Sequence, residues 1–152
     1  MIIRNLLKAV SPSRIKTSVS AGKNDTVTST AIDTIDFGAA LFRVTFGAIV
    51  SGGTGTVKLQ HSSDNGSSDA FADIAGSGYA YTDADATKMV LIDVDRPTKR
   101  YIQVVVVRNN DQNATIDSID ATLYQPTYTP IASYAASVAS AKTLGNAYSG
   151  AA

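Results

Sequence analysis

The chain contains no cysteine, no tryptophan and no glutamate, and its one histidine is His61. Without thiols, disulfides, thiolate zinc sites and cysteine nucleophiles are excluded. A lone imidazole leaves no histidine-rich metal centre. All 13 acidic residues are Asp. Glu suits helix interiors and Asp suits turns and caps, so the composition speaks against a helical body. Charged residues make up 17% of the chain, below the ~25% usual for soluble domains. They balance to a net charge of zero, so no global field draws the protein to nucleic acid or to an anionic membrane. No stretch approaches the ~20 apolar residues that span a bilayer. The first ten residues are interrupted by Arg4, Asn5 and Lys8 and lack the continuous apolar core of a secretory leader.

What is present is enough for one domain: 152 residues, 44% of them hydrophobic, with a core expected. Charge is unevenly placed. Residues 1–23 carry Arg4, Lys8, Arg14, Lys16 and Lys23 and no acid, which leaves residues 24–152 acidic on balance. Ile2, Ile3, Leu6, Leu7 and Val10 have helical spacing, and Ser11-Pro12 would stop such a helix. So short a helix needs a surface to form on. Residues 1–23 are therefore expected to be a basic arm.

Residues 24–126 read as successive strands. Thr26 to Asp36 is rich in Thr, Val and Ile. Leu41 to Val50 carries Phe42, Val44, Phe46 and Ala48 on one face, with Arg43 and Thr45 on the other. Val57, Leu59 and His61 alternate with Lys58 and Gln60; Phe71 to Ile74 is a short candidate; Val90, Ile92 and Val94 alternate with Met89, Leu91 and Asp93. Val104 to Val107 is apolar on both faces and predicts a central strand. Ile116 to Tyr124 closes the series. Turn signals at Gly52-Gly53-Thr54-Gly55, Asn65-Gly66 and Gly76-Ser77-Gly78 separate the strands. Seven or eight short strands predict an all-β antiparallel sandwich, with Phe42, Val44, Phe46, Leu59, Ile92, Val104 and Val106 as core. Residues 127–152 contain no acid and are dominated by Ala, Ser, Gly and Tyr. They are read as a C-terminal arm, with a possible Ala-rich helix over 131–141.

No motif carries catalysis. His61-Ser62-Ser63-Asp64 has the residue types of a hydrolase triad, but adjacent residues do not supply its geometry, and no G-x-S-x-G elbow occurs. Asp83 and Asp85, and Asp93 and Asp95, resemble fragments of a hard-cation site, but such ions need about six oxygen ligands. Turn carboxylates, or partners for Arg96, Lys99 or Arg100, are the better reading. Gly52 to Gly55 lacks the lysine and helix of a phosphate loop. Asn24-Asp25-Thr26, Asn65-Gly66-Ser67 and Asn113-Ala114-Thr115 fit the glycosylation triplet and are treated as incidental. No enzyme activity and no cofactor is expected.

Three segments in order carry a resemblance. They are Ala31-Ile32-Asp33-Thr34 with Phe37-Gly38 and the strand to Gly47; Val57-Lys58-Leu59-Gln60-His61-Ser62-Ser63; and Arg96-Pro97-Thr98-Lys99-Arg100-Tyr101 running on to Ala121-Thr122-Leu123-Tyr124. Together they resemble the capsid cement or decoration proteins of tailed bacteriophages over about 30–126. The resemblance implies a jelly-roll-like sandwich on the outer surface of a capsid shell, made in the host cytoplasm and bound to the major capsid protein. It carries over no active-site residues. A tail, neck or fibre component of the virion is the alternative, as is a carbohydrate-binding module, which the lack of Trp disfavours. Ile3, Leu6, Leu7, Arg14, Lys16, Tyr124, Tyr128 and Tyr134 are the candidate interface residues. The tyrosines can bury rings while their hydroxyls stay bonded. A homo-oligomer is expected, a dimer before a trimer.

Overall fold

The computed structural model describes residues 5–129, 131 and 133–142. Eleven strands follow one another: β1 Val10–Lys16, β2 Val19–Gly22, β3 Asp25–Thr28, β4 Ile32–Asp33, β5 Phe37–Ile49, β6 Thr54–Ser62, β7 Ala72–Asp73, β8 Tyr79–Thr82, β9 Met89–Asp95, β10 Tyr101–Arg108 and β11 Ala114–Pro126. One sheet has the order β1-β11-β5-β9, with β2 also on β11. The other has β3-β10-β6-β7, with β4 on β10 and β8 on β6. Every pairing is antiparallel. The pairs β6–β8, β5–β9, β3–β10 and β1–β11 are nested, as if one long hairpin had been rolled up. That is a jelly roll, which buries two sheets against each other and leaves few open edges.

Period-two patterning explains the core. On β5, Phe42, Val44 and Phe46 point inward and are buried. Leu59 on β6 and Val104 and Val106 on β10 meet them from the other sheet. Ile92 is only partly buried, because β9 is the edge of its sheet. Val105 is buried on the opposite side of β10, as expected of a strand flanked on both sides.

Phe46 packs on Tyr81 with ring centroids 4.6 Å apart. The Tyr81 hydroxyl is buried with no hydrogen-bond partner among the described residues. Near it Arg108 is buried and pairs with Asp25 on β3, and it donates to the Ser20 carbonyl at 3.0 Å and the Ala114 carbonyl at 2.7 Å. One guanidinium thus ties β2, β3 and β11 together. Gly22 lies so close that an added Cβ would strike it.

Four expectations need correction. Residues 10–22 are not an arm, since β1 and β2 pair with β11 and Ile15 joins the core. Among the described residues the amphipathic start forms only a 3-10 turn, Leu6–Lys8. Pro12 does not end an element but lies within β1, an edge strand where a missing N–H is tolerated. Finally, the described part of 131–141 is not helical. It runs along β1 as a cover for its open edge: the Ile131 amide bonds to the Lys8 carbonyl at 3.2 Å, and the Arg14 amide to the Ser137 hydroxyl at 3.0 Å.

Candidate interaction surface

The connections β4–β5, β6–β7 and β9–β10 all leave the same end of the sandwich, where β1 begins and β11 finishes. The three sequence segments singled out above, far apart in the chain, meet there. Arg100 grips Asp33 with two bonds, 2.8 and 2.7 Å, and lies 5.1 Å over the Tyr101 ring. Its guanidinium lowers the Asp33 pKa, and the ion pair raises its own. The Arg100 carbonyl also takes the Thr34 hydroxyl at 2.8 Å and the Thr34 amide at 2.9 Å. Lys99 bonds both oxygens of Asp69 at 2.9 and 2.8 Å. With the Ser63 amide and hydroxyl also donating, the Asp69 carboxyl is held down to about 2.

The loop after β6 is organised by two side chains. Asp64 accepts from the amides of Ser68, Asp69 and Ser67, which lower its pKa. The buried Ser62 hydroxyl donates to the Asp69 carbonyl at 2.6 Å and receives the Gly66 amide at 2.7 Å. His61 reaches Thr98 at 3.4 Å instead of Ser62. The residue types of a triad are therefore spent on holding a loop.

The other carboxylates are equally occupied. Asp85 closes a capping box with Thr82 and takes the Tyr79 hydroxyl, and Asp83 takes the Gly52 amide at 2.8 Å. Asp93 accepts the Tyr124 hydroxyl at 2.8 Å, which raises the tyrosine pKa. Asp95 lies 3.6 Å from Arg96 at the exposed surface. No group of three or more potential metal ligands occurs among the described residues.

The expected interface residues fall into two sets. Leu6 is 70% exposed and Tyr128 is 75% exposed. Leu7 is half-buried, and its carbonyl accepts the Tyr134 hydroxyl. These lie near the end just described, because Thr127 bonds to Asp36 at 2.7 Å and Ile131 to Lys8. Arg14, Lys16 and Tyr124 belong instead to the sheet of β1 and β11. Arg14 stands across from Asp120, but Asp120 pairs with Arg43 at 3.1 Å. Ile3 lies outside the described residues.

Sequence reasoning missed Ile35, 51% exposed at the same end. A groove of about 260 Å³ beside it is lined by Thr34, Phe37, Pro97, Thr98 and Lys99. It also missed Met89 and Leu91 as an exposed apolar pair on the edge strand β9. Their place in an alternating strand was readable; that no neighbouring strand covers them was not.

No protein-family model matches the chain, and no curated protein matches it in sequence. Among solved structures it is similar to the crystal structure of PBSX exported protein XepA, with a TM-score of 0.55 and 13% identity over 96% of this chain. The chain spans 46% of the length of that protein. At this identity the likeness is one of fold.

Proposed function

We propose that the protein is a structural component of a phage virion, a decoration protein that binds the outer face of the major capsid shell. One observation carries this reading. A single end of a rigid jelly roll presents Leu6, Ile35 and Tyr128 to solvent, next to the N-terminal turn and the exit from β11. Monomeric domains rarely collect large apolar side chains at one place without a partner. The fold likeness to a phage protein supports only the coarser part of this reading, a phage-related protein; the order of the three resembling segments is what favours decoration. A homo-oligomer, a dimer by preference, is part of the proposal because twofold closure is the commonest arrangement of repeated subunits.

The neighbour's name favours a second reading. XepA is described as an exported protein; carried over to this chain, that makes it a phage product exported from the cell. Cryo-EM of particles made with and without the protein separates these. Copies spread over the shell support decoration. Density at one vertex supports a tail or neck part. Protein found only in the particle-free fraction supports export.

A further inference from the structure

Asn65-Gly66 forms the tip of the loop between β6 and β7. Asn65 is exposed with φ 61°, and Gly66 follows with φ 80°. An asparagine followed by glycine is open to an internal reaction, because no side chain shields the next amide. We propose that Asn65 is a deamidation site whose rate is set by the hydrogen bond from the Gly66 amide to Ser62.

The step balances without any partner but water. The Gly66 amide nitrogen gives its proton to solvent and attacks the Asn65 side-chain carbonyl carbon, forming a C–N bond. The Cγ–Nδ2 bond breaks, and that nitrogen takes a proton and leaves as ammonia. Water then opens the five-membered imide at either carbonyl, giving aspartate or isoaspartate. Nothing is oxidised or reduced.

The native loop opposes this at one atom. The Gly66 amide points at the Ser62 hydroxyl, 2.7 Å away, and Ser62 is fully buried. Its hydroxyl is anchored in turn by donating to the Asp69 carbonyl at 2.6 Å. Closing the imide requires the Asn65–Gly66 peptide to turn its nitrogen away from Ser62 and toward the Asn65 side chain. The hydrogen bond must break first, and Asn65 must rotate about ψ and χ1, the two bonds that bring the Gly66 nitrogen and its own Cγ together.

The product would be felt beyond the loop. A carboxylate at position 65 lies next to Asp64, which already gathers the amides of Ser67, Ser68 and Asp69. Isoaspartate adds a backbone methylene and displaces Gly66 from Ser62. Asp69 is the partner of Lys99, so loosening the loop reaches the end of the sandwich where the segments converge.

The test is peptide mapping by mass spectrometry of the full chain, incubated at mildly alkaline pH, with isoaspartate measured separately. Native protein and protein unfolded in urea are compared first, without any variant. Slower conversion at Asn65 in the native state is expected; equal rates overturn the gating. Ser62→Ala should then speed native conversion roughly five- to tenfold, the effect of losing one hydrogen bond. Lys99→Ala, which frees Asp69 but leaves Ser62 in place, should change it much less. Equal acceleration by both variants, or none by Ser62→Ala, overturns the role of Ser62. No conversion in the urea-unfolded chain overturns the site itself.

Discussion

At the scale of single residues, the interior separates side chains that fit from one that does not. Phe46 is fully buried and its ring leans on Tyr81, so Phe46→Ala removes both a core volume and a ring contact. We expect a loss of ~3–5 kcal/mol in denaturant unfolding. A loss below ~1 kcal/mol would mean that the site collapses around the gap. Tyr81 differs, because its hydroxyl is desolvated without a partner among the described residues. Tyr81→Phe should therefore be neutral or raise stability by ~1 kcal/mol. A clear loss would reveal a hidden partner for the hydroxyl. The carboxylates give a pH signature. Asp69 has an ordinary value of 3.8 and sits at about 2 in the folded chain, and Asp33 and Asp64 are also lowered. A carboxyl with a depressed folded pKa binds protons more readily when unfolded, so its contribution is complete above its unfolded value. It is lost as pH falls through the folded value. On the acid side, stability should thus be flat from neutral pH down to about pH 4 and fall between about 4 and 2. Lys99→Met should flatten that fall, since Lys99 is the largest cause of the Asp69 shift. An unchanged acid limb in this variant would remove the Lys99–Asp69 pair as a source.

At the scale of elements, the strands most legible in the sequence are those whose environment is set by their own pattern. β5 alternates from Phe42 to Phe46, although a register shift against β11 then turns Ile49 inward and leaves Ala48, expected on the inner face, exposed; β10 reads as central because Val104 to Val107 is apolar throughout. β1 was not legible. Ser11-Pro12-Ser13 looks like a break, and only the free edge beyond β1 makes the proline acceptable. β8 hid behind Gly78 and Asp83, although Tyr79-Ala80-Tyr81 alternates. The C-terminal segment reads as helix by its alanines, yet its described part is irregular, with a turn closed by the Val138 amide on the Ala135 carbonyl and bonds to Lys8 and to the Arg14 amide of β1, a tertiary choice that propensity cannot see. The ion pairs of the loop end were equally hidden. Asp33 and Arg100 are 67 positions apart, and nothing local selects one cation among 13 for one acid among 13. These differences change what truncation should do. Removing residues 1–23 deletes β1 and β2 and the buried Ile15, whose side chain alone is worth ~1.5–3 kcal/mol. The shortened protein should melt well below the full chain or fail to fold. Removing residues 130–152 should leave the sandwich intact but uncover β1, so that hydrogen exchange at the Arg14 amide accelerates. Unchanged exchange there would mean that Ser137 does not protect the edge. A 1–23 deletion with the melting temperature of the full chain would mean that β11 tolerates an open side.

At the scale of the whole molecule, two apolar surfaces compete as the face that meets a partner. One is the loop end with Ile35, Tyr128 and Leu6. The other is the outer face of β9 with Met89 and Leu91. All five side chains are more than half exposed, so polar replacements should change folding stability by no more than ~0.5 kcal/mol. Binding, however, should respond at the true interface, where a few desolvated apolar anchors carry most of the energy. The loop end has the better claim for a mechanical reason. Arg100–Asp33 and Lys99–Asp69 brace its loops against each other, so little ordering cost remains when it docks. β9 offers instead a bare strand edge, but Asp93 and Asp95 interrupt its apolar face, the kind of charge that discourages pairing with another strand. The decisive comparison uses two double variants, Ile35→Asp with Tyr128→Ser and Met89→Ser with Leu91→Ser, each checked for an unchanged melting temperature. Added to shells that lack the protein, the first pair should lose occupancy at least tenfold, the effect of ~1.4 kcal/mol, and the second should bind as the unaltered chain does. The reverse result would move the docking face to β9. Equal occupancy for both would leave neither surface as the attachment point and would sink the decoration reading at its carrying observation.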